Sequence, residues 1–292
     1  MPFKVVNRQI LSKDVKRVDI LAPLVARKIL PGQFILVSIH PDDDRLSFTV
    51  SEIDAHRGSI ALIFQEDSPA KQQLGQLQIN DEVHLIAGPF GNPIEIKKEG
   101  FVACIADGLG IAEILPAVRA FKQAGNKVLT FIGGQNKSQL ILQSQMRLLS
   151  YKSFAATKDG SWERRGTPVD ALTDYLKKEK VDLVYTAGSP ELMQAVAAAT
   201  REKGIKTLAR LNPVMFDATG VCGSCRVTVG GKTRFACTEG PAFDAHEVDF
   251  EDYKVRINSY KEYAWDNSRL QSSQKKDGSG TLGKFLSGII KS

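Results

Sequence analysis

The hydrophobic period of this chain changes near residue 100, and that change limits the folds open to it. From residue 3 to about 98 the apolar residues come in short runs: KVVNRQIL, VKRVDILA, QFILVSIH, SIALIFQ and EVHLIAG. Turn signals such as Pro31-Gly32 separate them, and such a series of short strands predicts an antiparallel barrel. Gly88-Pro89-Phe90-Gly91-Asn92-Pro93 closes it, because so dense a set of backbone breakers cannot continue a strand. From residue 101 the runs FVACIA, KVLTFIGG, DLVYTAG and KTLARL alternate with helix-like stretches at about 112–123, 138–149, 169–179 and 190–203. That alternation predicts a parallel sheet covered by helices.

The expected architecture is a β barrel over 1–98, an α/β domain over 99–210, a small Gly- and Cys-rich domain over 211–250, and a tail over 251–292. Part of the tail, QSSQKKDGSG, reads as flexible linker. A length of 292 residues suits two domains and an appendage, and 42% hydrophobic residues suffice for real cores. The 39 basic and 33 acidic residues leave a net charge of +6 but are scattered along the chain, which argues against nucleic-acid binding. No 18-residue apolar run exists, and the N-terminus alternates polar and apolar residues, so neither a membrane span nor a signal peptide is expected. The expected location is cytoplasmic.

Three of the four cysteines lie between 222 and 237; Cys104 stands apart in FVACIA and reads as a buried strand residue. Clustered thiols of this kind point to metal or redox chemistry rather than to a disulfide framework. The constellation is Asp217-x4-Cys222-x2-Cys225-x11-Cys237. Two thiolates two residues apart reach one metal from a tight loop, and a third returns after the hairpin VTVGGKTRFAC, which turns at Gly230-Gly231. Plant-type ferredoxins use Cys-x4-Cys-x2-Cys and a distant Cys, so three positions match and Asp217 stands at the first. Gly220 and Gly223 suit a loop that turns N–H groups toward sulfur. The spacing favours a 2Fe-2S cluster, while a structural zinc site or three buried thiols stay open.

These residues resemble the small subunit of NADH-dependent ferredoxin:NADP oxidoreductase, a family that includes sulfide dehydrogenase and dihydroorotate dehydrogenase electron-transfer subunits. The resemblance runs from about residue 4 to 262 and is most specific at NPVMFDATGVCGSCRVTVGG and FACTEGPAFDAHEVDF. It implies a 2Fe-2S cluster on Asp217, Cys222, Cys225 and Cys237, FAD on the barrel and NAD(H) or NADP(H) on the α/β domain. PGQF at 31–34 and RLSFTVSEID at 45–54 resemble the flavin segment, so Arg45 would take the pyrophosphate, Phe48 would border the ring and Thr49 would hydrogen-bond it. Ser47, Phe64, Gln65 and Lys71 complete the implied flavin set. AGSPELMQAV, with Gly188, Ser189 and Met193, resembles the nucleotide segment, together with Gly108 and Gly110 after the first strand of the second domain.

Two segments depart from the family. ADGLGIAEILP stands where a Gly-rich strand-to-helix turn ending in Ala-Pro receives a pyrophosphate, so Asp107 brings a carboxylate there and Glu113 replaces a proline. In DSPAKQQL the usual Gly-Lys-x-Thr is missing; Pro69 removes an N–H, and Lys71 sits one position off the pattern. The expected function is an electron-transfer subunit that passes electrons between NAD(P)H, FAD and the cluster to a larger flavin and iron-sulfur partner subunit. The competing reading is a relay or assembly subunit that keeps the cluster and has lost one or both nucleotides. Leu282, Phe285, Leu286, Ile289 and Ile290 of TLGKFLSGIIKS fall largely on one helical face and offer a docking element, against a frayed terminus.

Overall fold

In the computed structural model, which describes residues 3–259, the N-terminal region opens with an antiparallel pair, β1 (Phe3–Ile10) and β2 (Val15–Leu21). It continues through α1 (Pro23–Lys28), β3 (Phe34–Ser38), β4 (Leu46–Phe48), β5 (Val50–Asp54) and β6 (Ser59–Gln65) to α2 (Pro69–Gln76), β7 (Glu82–Val83) and β8 (Leu85–Phe90). A five-stranded sheet, β5-β6-β2-β1-β7, faces a three-stranded one, β4-β3-β8. They share one core that contains Val5, Ile20, Ile35, Val37, Ile60 and Leu62. The period-2 alternation of β1 and β2 supplies Val5, Val18 and Ile20 to that core. Thr49 is the single residue between β4 and β5, where the chain leaves one sheet for the other. Strand β8 runs through Gly88 and Pro89 to Phe90, so the break falls later than the sequence suggests. Phe90 pairs with Phe34, and their rings lie 5.9 Å apart.

The second region is built from β9 (Phe101–Asp107), α3 (Gly110–Gln123), β10 (Lys127–Gly134), α4 (Gln143–Leu149), β11 (Lys152–Thr157), β12 (Arg164–Arg165), α5 (Pro168–Leu176), β13 (Leu183–Ala187), α6 (Pro190–Arg201) and β14 (Lys206–Arg210). Ile111, Ile114, Leu115, Val118 and Phe121 form the buried stripe of α3 at helical spacing. Thr167 and Asp170 close a capping box on α5, and Ser189 caps α6. The stretch expected as one helix over 138–149 opens with a short 3-10 turn, Lys137–Gln139, and is α-helical only from Gln143, with Leu140 and Ile141 buried between the two.

The third region carries β15 (Arg226–Val229), β16 (Lys232–Phe235), α7 (Ala236–Glu239), β17 (Ala242–Asp244) and α8 (Phe250–Ser259). Strand β17 joins the large sheet, whose order is β12-β11-β10-β9-β13-β14-β17, and is its antiparallel member. Because β9 is flanked by β10 on one side and β13 on the other, the strand order reverses there and a crevice opens at the carboxyl ends. Gly230 (φ +59°) and Gly231 (φ +68°) make the tight turn between β15 and β16, as the sequence predicts.

This third region is not a free appendage. Cys225 and Cys237 share a core with Phe34 and Leu36 of β3 and Met193 of α6. Asn92 binds it to the barrel: its N–H donates to Gly240 O at 2.6 Å and its side chain to Thr238 O and Glu239 O. Residues 251–259, read from the sequence as the start of the tail, belong to α8 instead, with Tyr253 buried and its hydroxyl accepting from Asn212 N–H at 2.8 Å. Residues 260–292, including the TLGKFLSGIIKS segment, lie outside the described residues. No helix among the described residues is long and apolar enough to cross a membrane.

Candidate functional site

The cysteine loop is assembled by its own backbone. Asp217 accepts from the N–H groups of Thr219 at 2.9 Å and Cys222 at 3.1 Å, which pins the turn between them. The Thr219 N–H first, with Cys222 adding to it, holds the Asp217 carboxyl below its ordinary value against desolvation. Gly220 (φ +81°) and Gly223 (φ +73°) take backbone conformations that side chains disfavour, and they reverse the chain around Cys222. Cys225 precedes β15 and Cys237 follows β16, so the hairpin brings their sulfurs to 3.2 Å. Both are buried, whereas Cys222 is exposed with its Sγ 3.2 Å from Ser224 Oγ.

Burial, and then Cys225 beside it, push the Cys237 thiol up, while the Gly220 N–H favours its thiolate. A metal arriving here must therefore displace protons as it binds. Among the described residues no three of His, Cys, Asp and Glu gather as a site for one metal ion. A cluster with several irons divides its ligands between them, so convergence on one point is not what it requires. Three soft thiols, a carboxylate and loop N–H groups fit an iron-sulfur group.

The second feature is a crevice of about 1090 Å³ at the carboxyl ends of β9 and β13, reached by α2 of the barrel and α8. Gly108, Gly110, Gly188, Ser189 and Lys71 all line it. Gly110 is needed because a Cβ there would lie 2.5 Å from Ala187 O. At Gly188 (φ +133°) a Cβ would lie 2.1 Å from Asp107 Oδ1. Asp107 is thus pressed against the start of α6, accepting from Ser189 N–H at 2.7 Å and from its hydroxyl at 2.5 Å. Lys71 stands in the first turn of α2, 2.9 Å from Asp67, and Ser68 caps that helix. The volume, this ammonium and the α2 N-terminus fit the phosphates of a dinucleotide such as FAD.

Behind the crevice wall lies a polar group that sequence reading missed. Arg210 is 2% exposed; its Nε is 3.2 Å from Thr49 Oγ1 and 3.9 Å from Glu113 Oε2, and its Nη2 also donates to Thr49. Glu113 also accepts from Asn212 Nδ2 at 3.0 Å. Burial pushes the Glu113 carboxyl up, opposed chiefly by Arg210 and then by Lys71 and Asn212. Among the described residues Arg210 Nη1 has no hydrogen-bond partner. A lone Arg in the apolar strand KTLARL is the one sequence signal that marks it.

Several implied contacts are not where the sequence reading put them. Phe48 does not border the crevice; it packs inside the barrel against Phe64, ring centroids 5.6 Å apart, because alternation along β4 turns it inward. Gln65 is at the surface, donating to Asp14 at 2.5 Å. Met193 faces inward from α6 to the core behind the cysteine hairpin, not the crevice. Arg45 is exposed, and Ser47 and Thr49 are half-buried.

Comparison with known proteins agrees with this arrangement. Residues 212–249 match the iron-sulfur cluster binding domain of dihydroorotate dehydrogenase B. An uncharacterized protein of Clostridium beijerinckii, from the adh 3' region, is 34% identical over 89% of this chain and 90% of its own length. The solved structure of an NADH-dependent reduced ferredoxin-NADP oxidoreductase, described for flavin-based electron bifurcation, superposes with a TM-score of 0.86 at 30% identity, covering 91% of this chain and 98% of that one. The dihydroorotate dehydrogenase B electron transfer subunit homolog of Thermotoga maritima is 32% identical over 89% of this chain and 92% of its own. On that likeness along nearly the whole ferredoxin-reductase-like fold, the chain belongs to the family of dihydroorotate dehydrogenase B electron-transfer subunits and their homologues, with an iron-sulfur binding domain near its C-terminus.

Proposed function

We propose that the chain is the electron-transfer subunit of a multi-subunit flavin and iron-sulfur oxidoreductase, in which Asp217, Cys222, Cys225 and Cys237 hold a 2Fe-2S cluster. The observation that carries this reading is the buried Cys225–Cys237 pair, 3.2 Å apart on a hairpin inside the matching domain. When bound, such a cluster supplies one-electron transfer at a potential set by its ligands and surroundings. The protein's part is to fix the loop through Asp217, to aim the Gly220 N–H at Cys237 and to leave the Cys222 edge at the surface.

FAD is the second carrier in this reading, supported by the flavin chemistry of the solved relative and by the α2 wall of the crevice. Lys71 and the α2 N-terminus would hold its phosphates. Arg210 donates to Thr49 Oγ1, which leaves the Thr49 hydroxyl its own proton to donate onward. A count of iron, acid-labile sulfide and extractable flavin in the purified full-length chain, free of its partner subunit, tests the reading. It predicts about two irons, two sulfides and one FAD per chain. Zinc without iron would reject it, and iron-sulfide without flavin would reject its FAD component.

A second reading, a relay subunit without its own pyridine nucleotide, is favoured by one observation. That observation is the Asp107 carboxylate on the first residue of the α6 cap.

A further inference from the structure

A parallel sheet offers an anion site where the strand order reverses, because turn N–H groups and the positive end of a helix dipole point to one place. In this chain that place is filled from within. Asp107 ends β9 and Ser189 follows β13, the neighbouring strand, so sheet register sets them side by side. Both carboxylate oxygens are used, one on the Ser189 N–H and one on its hydroxyl. The hydroxyl in turn accepts from Leu192 N–H at 3.2 Å, which ties the carboxylate into the first turn of α6. Gly188 completes the cradle: its missing Cβ is the space in which Asp107 Oδ1 lies.

A second fixed acid stands across the same turn. Glu113, in the first turn of α3, is held by Asn212 at 3.0 Å and Arg210 at 3.9 Å with its side chain 12% exposed. Among the described residues two lysines line the crevice: Lys71 on the α2 wall is already 2.9 Å from Asp67, and Lys158 stands with Gly134 and Gln135 on the β10 side rather than beside Asp107 and Ser189.

We propose that Asp107 is an internal surrogate for a phosphate group, and that it bars the pyrophosphate of a pyridine dinucleotide from the sheet end of the crevice. The chain then exchanges electrons through its cluster and flavin without binding NAD(H) or NADP(H) itself. A dinucleotide entering beside Gly108 and Gly110 would bring its charge against the Asp107 carboxylate, which its two bonds to Ser189 hold in place. The α2 end, with Lys71, stays open to FAD. This inference goes beyond the electron-transfer reading, which stands whether or not a nucleotide binds.

The test is calorimetric titration of NADH and NADPH into the purified full-length chain, free of its partner subunit, as wild type, Asp107→Asn or Asp107→Ala. Asn keeps an oxygen for the Ser189 N–H and removes the charge; Ala empties the cradle. Wild type is expected to show no saturable binding up to about 1 mM, and both variants to bind at least about tenfold more tightly. A micromolar Kd for wild type, or no gain in either variant, overturns the proposal. Iron and sulfide counted on the same samples keep the two ideas apart: their loss would sink the cluster reading, not this one.

Discussion

Arg210 Nε lies 3.2 Å from the Thr49 hydroxyl oxygen and joins residues 161 positions apart across the boundary between barrel and α/β domain. The same guanidinium is the cation nearest Glu113, and both side chains are largely out of water. Removing one partner of such a pair leaves a charge without compensation. Arg210→Met is therefore expected to lower unfolding stability by about 3–5 kcal/mol, and adding Glu113→Gln to restore much of it. Denaturant titration of the two single variants and the double variant checks this; additive losses would contradict the pairing.

The cysteine loop makes a graded prediction. Cys225→Ser and Cys237→Ser each replace a soft ligand in the buried pair and are expected to abolish iron-sulfide content. Asp217→Ala removes a carboxylate that also pins the loop through Thr219 and Cys222, so iron content is expected to fall there too. Asp217→Cys supplies a thiolate instead and should retain iron. Iron and sulfide analysis with visible absorption reads all four.

Thiol chemistry of the metal-free chain should follow burial. Cys222 is exposed and is expected to react first with iodoacetamide, ahead of Cys225 and Cys237. The folded state favours the neutral Cys237 thiol, since burial and Cys225 raise its value above the usual 9.0. The corresponding stability is complete below that pH and is lost as pH rises above it. Mass spectrometry of labelled chains against pH gives the order, and melting curves above pH 9.0 give the slope.

Ser189→Ala removes a helix cap and the hydroxyl that donates to Asp107. A loss of about 1 kcal/mol is expected, measured by denaturation, with Ser189→Thr largely neutral.

The parts of this molecule that depend on local pattern were legible in the sequence. The turn at Gly230-Gly231 needs two left-handed residues, and two glycines announce it. The strand and helix alternation after residue 100 likewise follows from period alone. Arg210 was not legible, because its partners Thr49 and Glu113 come from other elements and no local period encodes them. Helix α8 was missed for a related reason: FEDYKVRINS has a weak apolar stripe, and only Phe250 and Tyr253 are buried. Tertiary contacts to Asn212 and Thr228 supply what the stripe lacks. Phe48 shows the converse limit, since a motif fixes a residue's place in the chain but strand alternation decides which way it faces.

The core that joins Cys225 and Cys237 to Phe34, Leu36 and Met193 has a kinetic meaning. Tunnelling between redox centres fades steeply with separation, so a donor carried on a swinging arm would have a rate governed by how often the arm comes near. Here the cysteine hairpin is cemented to β3 and α6, and Asn92 clamps its far edge. The gap from the barrel to the hairpin is thereby a constant of the fold, and traffic through the chain is left to driving force and to whatever docks at the Cys222 rim.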